Sequence, residues 1–155
     1  MTDTNEAPQI ADMINGMMEK TIPVVHGMGV EATVARRGYA SSTVPMEGNG
    51  NHFGVMYAGV LFTVAEVLGG ALAIASFDAA AYYPLVKDLK ISFRRPATTD
   101  VTAEASLDDA ELDRITAAAA ANGKCDFTLE ATVTDANGVV VATTTGLYQL
   151  RAHGK

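Results

Sequence analysis

The sequence predicts an α+β chain: an antiparallel sheet of about six strands wrapped round a long central apolar helix, with an N-terminal helix and an extra surface helix. Three observations lead there. Residues 58–77, A-G-V-L-F-T-V-A-E-V-L-G-G-A-L-A-I-A-S-F, are apolar on every side and carry one charge, Glu66, near the middle. A helix apolar all round has to be buried all round, so a sheet must sheathe it. The periodic segments run helix, two strands, apolar helix, two strands, helix, two strands, and no β-α-β unit repeats, which favours an antiparallel sheet with helices on one side. The turn Asp135-Ala136-Asn137-Gly138 joins two long strand-like segments and is the strongest hairpin signal in the chain. At 155 residues the chain is long enough for one domain, residues 1–155, with its own core.

Taken in order, residues 1–8 are polar and expected to be loose. Ile10, Met13, Ile14, Met17 and Met18 recur at helical spacing and predict an amphipathic helix of about three turns that Pro23 ends. Its methionines read as deformable packing. Val30–Ala35 and Tyr39–Val44 flank Arg36-Arg37-Gly38 and read as a hairpin with a solvated turn. Residues 45–54, P-M-E-G-N-G-N-H-F-G, form a glycine-rich loop leading into the apolar helix. In Tyr82–Arg95, Leu89, Ile91 and Phe93 alternate with Lys90, Ser92 and Arg94, a strand that Pro96 stops. Val101–Leu107 is another strand. Asp108 with Glu111 makes an N-cap and capping box, and the alanine-rich helix after it runs to a stop at Gly123. Phe127–Val133 and Val139–Leu150 are the last two strands. An open sheet leaves edges that must be covered or paired, so a homo-oligomer is expected, as a dimer or a dimer of dimers.

Composition narrows the function. The net charge of −7 offers no basic patch to phosphates, which argues against a nucleic-acid partner and against anionic lipid. The length of the apolar helix would suit a membrane span, but a carboxylate at the centre costs roughly 2.5–3.5 kcal/mol on insertion scales, so no membrane insertion is expected. The single cysteine, Cys125, excludes an intrachain disulfide framework and reads as a small buried hydrophobe. With no leader-like N-terminus, the expected compartment is the cytoplasm. No G-x-S-x-G, phosphate-binding loop or H-E-x-x-H occurs, and His26, His52 and His153 lack metal-ligand spacing, so no metal is expected.

Glu66 is then the first functional candidate, because a carboxylate inside an apolar helix is costly to desolvate. The alternative is a glutamate hydrogen-bonded at an edge or subunit interface. If Ala58 and Gly59 open the helix, their N–H groups are unpaired at the positive end of the dipole and suit an oxyanion or a polarised carbonyl. Glu66 lies about two turns on, roughly 10 Å along the axis. Helix start and carboxylate are too far apart to serve one small atom within one subunit unless the substrate bridges them or a second subunit closes the gap.

Three stretches, residues 51–66, 87–97 and 145–151, carry a resemblance that runs from about Gly27 to the C-terminus. The sequence resembles the hotdog-fold acyl-CoA thioesterases, in particular the phenylacetate-pathway type and a branch of uncharacterised relatives. The family pattern is N-x-x-G-x-x-H-G-G with an acid seven residues after the second glycine. Asn51, Gly54, Gly59 and Glu66 fall on its Asn, first Gly, last Gly and acid. The resemblance implies a hotdog fold and hydrolysis of an acyl thioester, with coenzyme A as part of the substrate and product and no other cofactor. It implies Glu66 as general base or nucleophile, the Gly59 N–H on the carbonyl oxygen, and Asn51 of the neighbouring subunit holding water or substrate. His52, Gly54, Tyr57, Ala58 and Phe62 would contact substrate, and Arg94 and Arg95, with Lys90, could meet the coenzyme A phosphates. Leu61, Phe62, Ala65 and Leu68 would line the acyl tunnel.

The chain departs from the pattern at three positions. Tyr57 stands for His and Ala58 for the first of the paired glycines. Val86 falls where some relatives place a water-holding Ser or Thr. Lys87 and Asp88 next to it read as an exposed ion pair. A non-catalytic acyl-binding protein on the same fold therefore stays open. So does an enoyl-thioester hydratase or dehydratase, whose H-F-x-G, P-G-V-L and E-A signature is imitated in part by His52-Phe53 and Gly59-Val60-Leu61, with Ala58 in place of the proline. In that family the glutamate follows five residues after the glycine, where this chain has Val64.

Overall fold

The computed structural model describes residues 6–155. Its elements are α1 (Ala7–Thr21), α2 (Pro23–Gly27), β1 (Glu31–Arg36), β2 (Tyr39–Val44), α3 (Ala58–Ser76), β3 (Tyr82–Phe93), β4 (Val101–Ser106), α4 (Asp109–Asn122), β5 (Lys124–Asp135) and β6 (Val140–Ala152). All six strands join one antiparallel sheet in the order β1-β2-β4-β5-β6-β3. The α+β expectation holds, and the arrangement of a curled six-stranded sheet against a long helix is the hotdog fold.

Alternation builds the core. On β5, Cys125, Phe127, Leu129, Ala131 and Val133 are buried while their neighbours are not, and they meet Val64, Leu68 and Leu72 of α3 in one hydrophobic cluster. Cys125 is a buried free thiol, as expected. The capping at α4 is half of what the capping box predicts. The Asp108 carboxylate accepts from the Glu111 N–H at 2.8 Å, but the Glu111 carboxylate turns to Arg114. Gly123 ends the helix in the left-handed conformation.

Several expectations change. Of residues 1–8, Ala7 and Pro8 already belong to α1 and are not loose; residues 1–5 lie outside the described residues. The first helix runs 15 residues, and Pro23 does not simply end it but opens the short α2. Its apolar stripe is not wholly packed: Ile14 and Met18 are buried, whereas Met13 and Met17 stay exposed. The β1–β2 turn is not just solvated, because Arg37 reaches Asp109 and Asp113 of α4 at 3.3 and 3.2 Å. β3 ends at Phe93, and β5 extends beyond both predicted ends, to Lys124 and Asp135. Lys87, at the irregularity of the β3–β6 pairing, bonds Asp126 at 2.7 Å rather than Asp88.

The largest correction concerns α3. It is long and apolar enough to cross a membrane. Within this chain, however, only one side of it is sheathed. Val60, Leu61, Val64, Ala65, Leu68 and Leu72 face the core. Phe62, Thr63, Glu66, Val67 and Gly70 form a stripe that the sheet leaves partly open. Beyond it, the edge strand β3 exposes Leu85, Val86 and Phe93.

Candidate active site

The loop before α3 is built by hydrogen bonds. The Asn49 side chain donates to the carbonyls of Met28 and Pro45, and the Asn49 backbone carbonyl accepts from the Tyr57 N–H. Asn51 closes a tight turn: its Oδ1 accepts from the Phe53 N–H at 2.9 Å, and its carbonyl accepts from Gly54. Gly54 has a φ of +77°, which a side chain would strain. The Met56 N–H donates to the Ala97 carbonyl and ties the loop to the segment after β3. Chain direction at the start of α3 is thereby fixed.

Two amides are left over. The first intrahelical bonds run from Val60 and Leu61 to the Tyr57 carbonyl, so the N–H groups of Ala58 and Gly59 precede the ladder and have no acceptor among the described residues. Gly59 is not approached from open solvent on every side. A Cβ there would lie 2.7 Å from Cε1 of Tyr57, so the Tyr57 ring fills the space that the missing side chain leaves.

The predicted site residues sort into three places. An open cavity of about 350 Å³ brings Asn51 and Ala58 together with Arg94 and Arg95, joined by Leu61 and Ala97. Both guanidinium groups are exposed and lack a carboxylate partner among the described residues. Glu66 is elsewhere, on the open stripe of α3. His52, Phe53 and Gly54 form an exposed loop tip, where the His52 and Phe53 rings lie 3.9 Å apart. Phe62 is partly exposed on the open stripe between the cavity and Glu66. Ala65 and Leu68 face the sheet and are buried in the core, so they wall no space beside the carboxylate.

Glu66 lies between two hollows and lines both, as does Gly70 one turn on. One, of about 160 Å³ and partly open, is lined by Met17, Met18, Thr21 and Ile22 from the N-terminal segment and Val67 and Ile74 of α3. The other, of about 300 Å³, faces the edge strand through Pro84, Leu85 and Val86, with Tyr148. Burial among these groups pushes the Glu66 carboxyl above the ordinary carboxylate range. Its side chain has no hydrogen-bond or ion partner among the described residues. Such a carboxylate holds a proton more tightly than usual and is suited to taking one from water near neutral pH.

Tyr148 is the residue that sequence reasoning passed over. Its ring lies between Gly69 of α3 and Gly146 of β6, and a Cβ at either glycine would overlap it. Its hydroxyl donates to the Glu66 carbonyl at 3.3 Å, and burial together with the nearby Glu66 charge raises its pKa. The ring also stacks on Phe127. The turn of helix that carries Glu66 thus rests directly on Tyr148. A signal was present: glycine inside a helix and glycine inside a strand both mark close approach of another group.

The sequence profile of the family described as "Domain of unknown function (DUF4442)" matches residues 11–148. No curated protein matches the chain. A crystal structure of a Pseudomonas aeruginosa protein of unknown function, described as a probable thioesterase, is 44% identical. The alignment covers 92% of this chain and 95% of that one, with a TM-score of 0.85. A protein of unknown function from Chlorobaculum tepidum is 18% identical over 96% of this chain and 99% of that one, with a TM-score of 0.84. A thioesterase from Haemophilus influenzae is 15% identical over 94% and 92%, with a TM-score of 0.74. At the last two identities the likeness is one of fold.

Proposed function

We propose that this chain, which belongs to the DUF4442 family, hydrolyses an acyl thioester of coenzyme A or a similar thiol at an interface between two copies of itself. The observation that carries the reading is Glu66: a half-buried carboxylate without a partner among the described residues, between largely apolar walls, on the stripe of α3 that the sheet leaves open. The likeness to the 44% identical Pseudomonas aeruginosa protein, described as a probable thioesterase, supports the same reaction class.

In this reading one protomer supplies the start of α3 and its partner supplies Glu66, because the two lie about two turns apart on one helix. The open stripe of α3 and the exposed apolar residues of β3 are the surfaces that a second copy would cover. The thioester carbonyl oxygen accepts from the Gly59 N–H, and the side-chain nitrogen of Asn51, free of the turn that its oxygen holds, positions water or substrate. Glu66 takes a proton from the attacking water as the carbon–oxygen bond forms. The carbon–sulfur bond then breaks, and the thiolate leaves with that proton as a free thiol. Glu66 acting directly on the carbonyl as a nucleophile would expel the thiolate and form a mixed anhydride, and a single water that hydrolyses the anhydride gives the same products and the thiol proton. Arg94 and Arg95, beside Asn51 and without a carboxylate partner among the described residues, bind phosphate groups of the carrier.

Purified protein offered a panel of acyl-CoA substrates with a free-thiol readout tests this. Release of thiol well above a Glu66→Gln control supports it; release no greater than that control on every chain length removes it.

A second reading has its own observation. The Tyr57 ring lies over Gly59, and Val86 brings hydrocarbon to the hollow beside Glu66. A protein that holds an acyl thioester without turning it over would fit both. Tight acyl-CoA binding without thiol release distinguishes it. The hydratase reading has no comparable support, because His52 sits at the exposed loop tip and lines none of the three hollows around α3.

A further inference from the structure

Gly69 and Gly70 are neighbours on α3 with opposite surroundings. Gly69 has to be glycine because the Tyr148 ring occupies the place of its side chain. Gly70 has no such neighbour: a Cβ there would meet nothing within 4 Å. Glycine is among the least favourable residues in a helix interior, so alanine would serve the fold better at position 70. No described residue of this chain uses the space that its absent side chain leaves.

That space lies one turn from Glu66 and opens onto both hollows that Glu66 lines. The walls on the α1 side are Met17, Met18, Ile22, Val67 and Ile74, with Glu66 the one charged group and with Thr21, whose hydroxyl already donates to the Met17 carbonyl. On the strand side the Tyr148 hydroxyl is already committed to the Glu66 carbonyl. Such walls recognise hydrocarbon and offer little to a polar group, and thioether side chains adapt to its shape. The hollow under α1 holds about 160 Å³. An engineered apolar cavity of about 150 Å³ takes up benzene, so the space matches a compact tail of about six carbons.

We propose that the acyl tail of the substrate crosses the bare backbone of Gly70 and lodges between α1 and α3, which makes Gly70 and Met17 determinants of chain length and a compact acyl group of about six carbons the preferred substrate. The proposal rests on the thioesterase reading for the position of the thioester beside Glu66.

The test compares hexanoyl-CoA with acetyl-CoA on the wild type, Gly70→Leu and Met17→Trp. Met17 is half-exposed on α1, so tryptophan fills the hollow from the opposite wall without touching α3's own packing, should Gly70→Leu fail to fold. The wild type is expected to favour hexanoyl-CoA in kcat/KM, and each variant to lower the hexanoyl-to-acetyl ratio by about tenfold or more, as pocket changes of this size do. Glu66→Gln is expected to depress both substrates alike and leave the ratio unchanged. If the wild type turns over neither, the thioesterase reading has failed. Calorimetric titration with the same two thioesters then decides the tail site separately, with tighter hexanoyl-CoA binding that Gly70→Leu abolishes as the supporting result. A wild type indifferent to tail length, or variants that leave the ratio as it was, would overturn the proposal. So would a Gly70→Leu protein whose oligomeric mass changes while its ratio does not, since the space would then belong to the partner protomer.

Discussion

On the side of α3 that meets the sheet, Val64, Leu68 and Leu72 are fully buried, and Gly69 sits against a ring that leaves it no alternative. On the opposite side of the same helix, Phe62, Glu66 and Gly70 have space in front of them. The first face is explained by this chain alone: close packing fixes each residue, and a change of volume is felt at once. The second is not. It holds an acid without a partner and a glycine that no contact requires among the described residues, and both make sense only in the presence of something else. One helix therefore serves two masters, and substitutions on its two faces should be read by different instruments.

The largest separation is expected at Glu66. Glu66→Gln should lower thioesterase kcat/KM by about 10²–10⁴-fold, the contribution of a positioned proton acceptor. The same change should raise Tm, because it removes a desolvated charge and breaks no bond. A variant that loses activity because it has melted would erase the contrast between the faces. Leu68→Ala, on the packed face, should do the reverse. It should lower stability by about 2–5 kcal/mol in denaturant unfolding, with the residual activity of the folded fraction close to normal.

The two adjacent glycines give a finer comparison. Gly69→Ala drives a methyl group into the Tyr148 ring and should destabilise by about 1–3 kcal/mol. Gly70→Ala meets open space and should stabilise by about 0.5–1 kcal/mol through helix propensity and a less disordered unfolded chain. Thermal unfolding of the pair checks the signs; equal shifts would mean that the two faces do not differ as described.

The smallest effect is in the pH dependence. The folded-state carboxyl of Glu66 is raised, so the folded protein holds that proton more tightly than the unfolded chain does. Relative to Glu66→Gln, wild-type stability should therefore fall as pH rises from the ordinary carboxylate range through the raised value. It should be level above that window and lose its difference below it. The acid limb of kcat/KM should be displaced upward in the same sense, since Glu66 must be deprotonated to accept a proton.

How much of this was readable beforehand follows from where the information sits. The order of elements, the hairpins at Gly38 and Gly138, and the extent of α3 are written in local periodicity and turn chemistry, and they match the structure to within a few residues. Glu66 could be picked out because an acid in an apolar run conflicts with its surroundings. The one-sided sheathing of α3 could not be read, because apolarity says that a face needs cover and not which chain provides it. Nor could the partnership of Lys87 with Asp126, which depends on the β3 irregularity and on two strands meeting across β6. The division of the candidate residues between the Asn51 cavity and the Glu66 hollows likewise depends on side chains separated along the helix axis, which spacing in sequence hints at without resolving.

Tyr148 acts as a spacer of fixed thickness between a strand and the helix above it. A larger residue at position 69 or 146 would lift that turn of helix, and a smaller one at 148 would let it settle towards the sheet. The height of Glu66 above the strands is therefore a joint property of Gly69 on α3 and of Gly146 and Tyr148 on β6, and single substitutions among them should combine non-additively. Retuning the depth of the acid without loosening the core would take coordinated changes at all three.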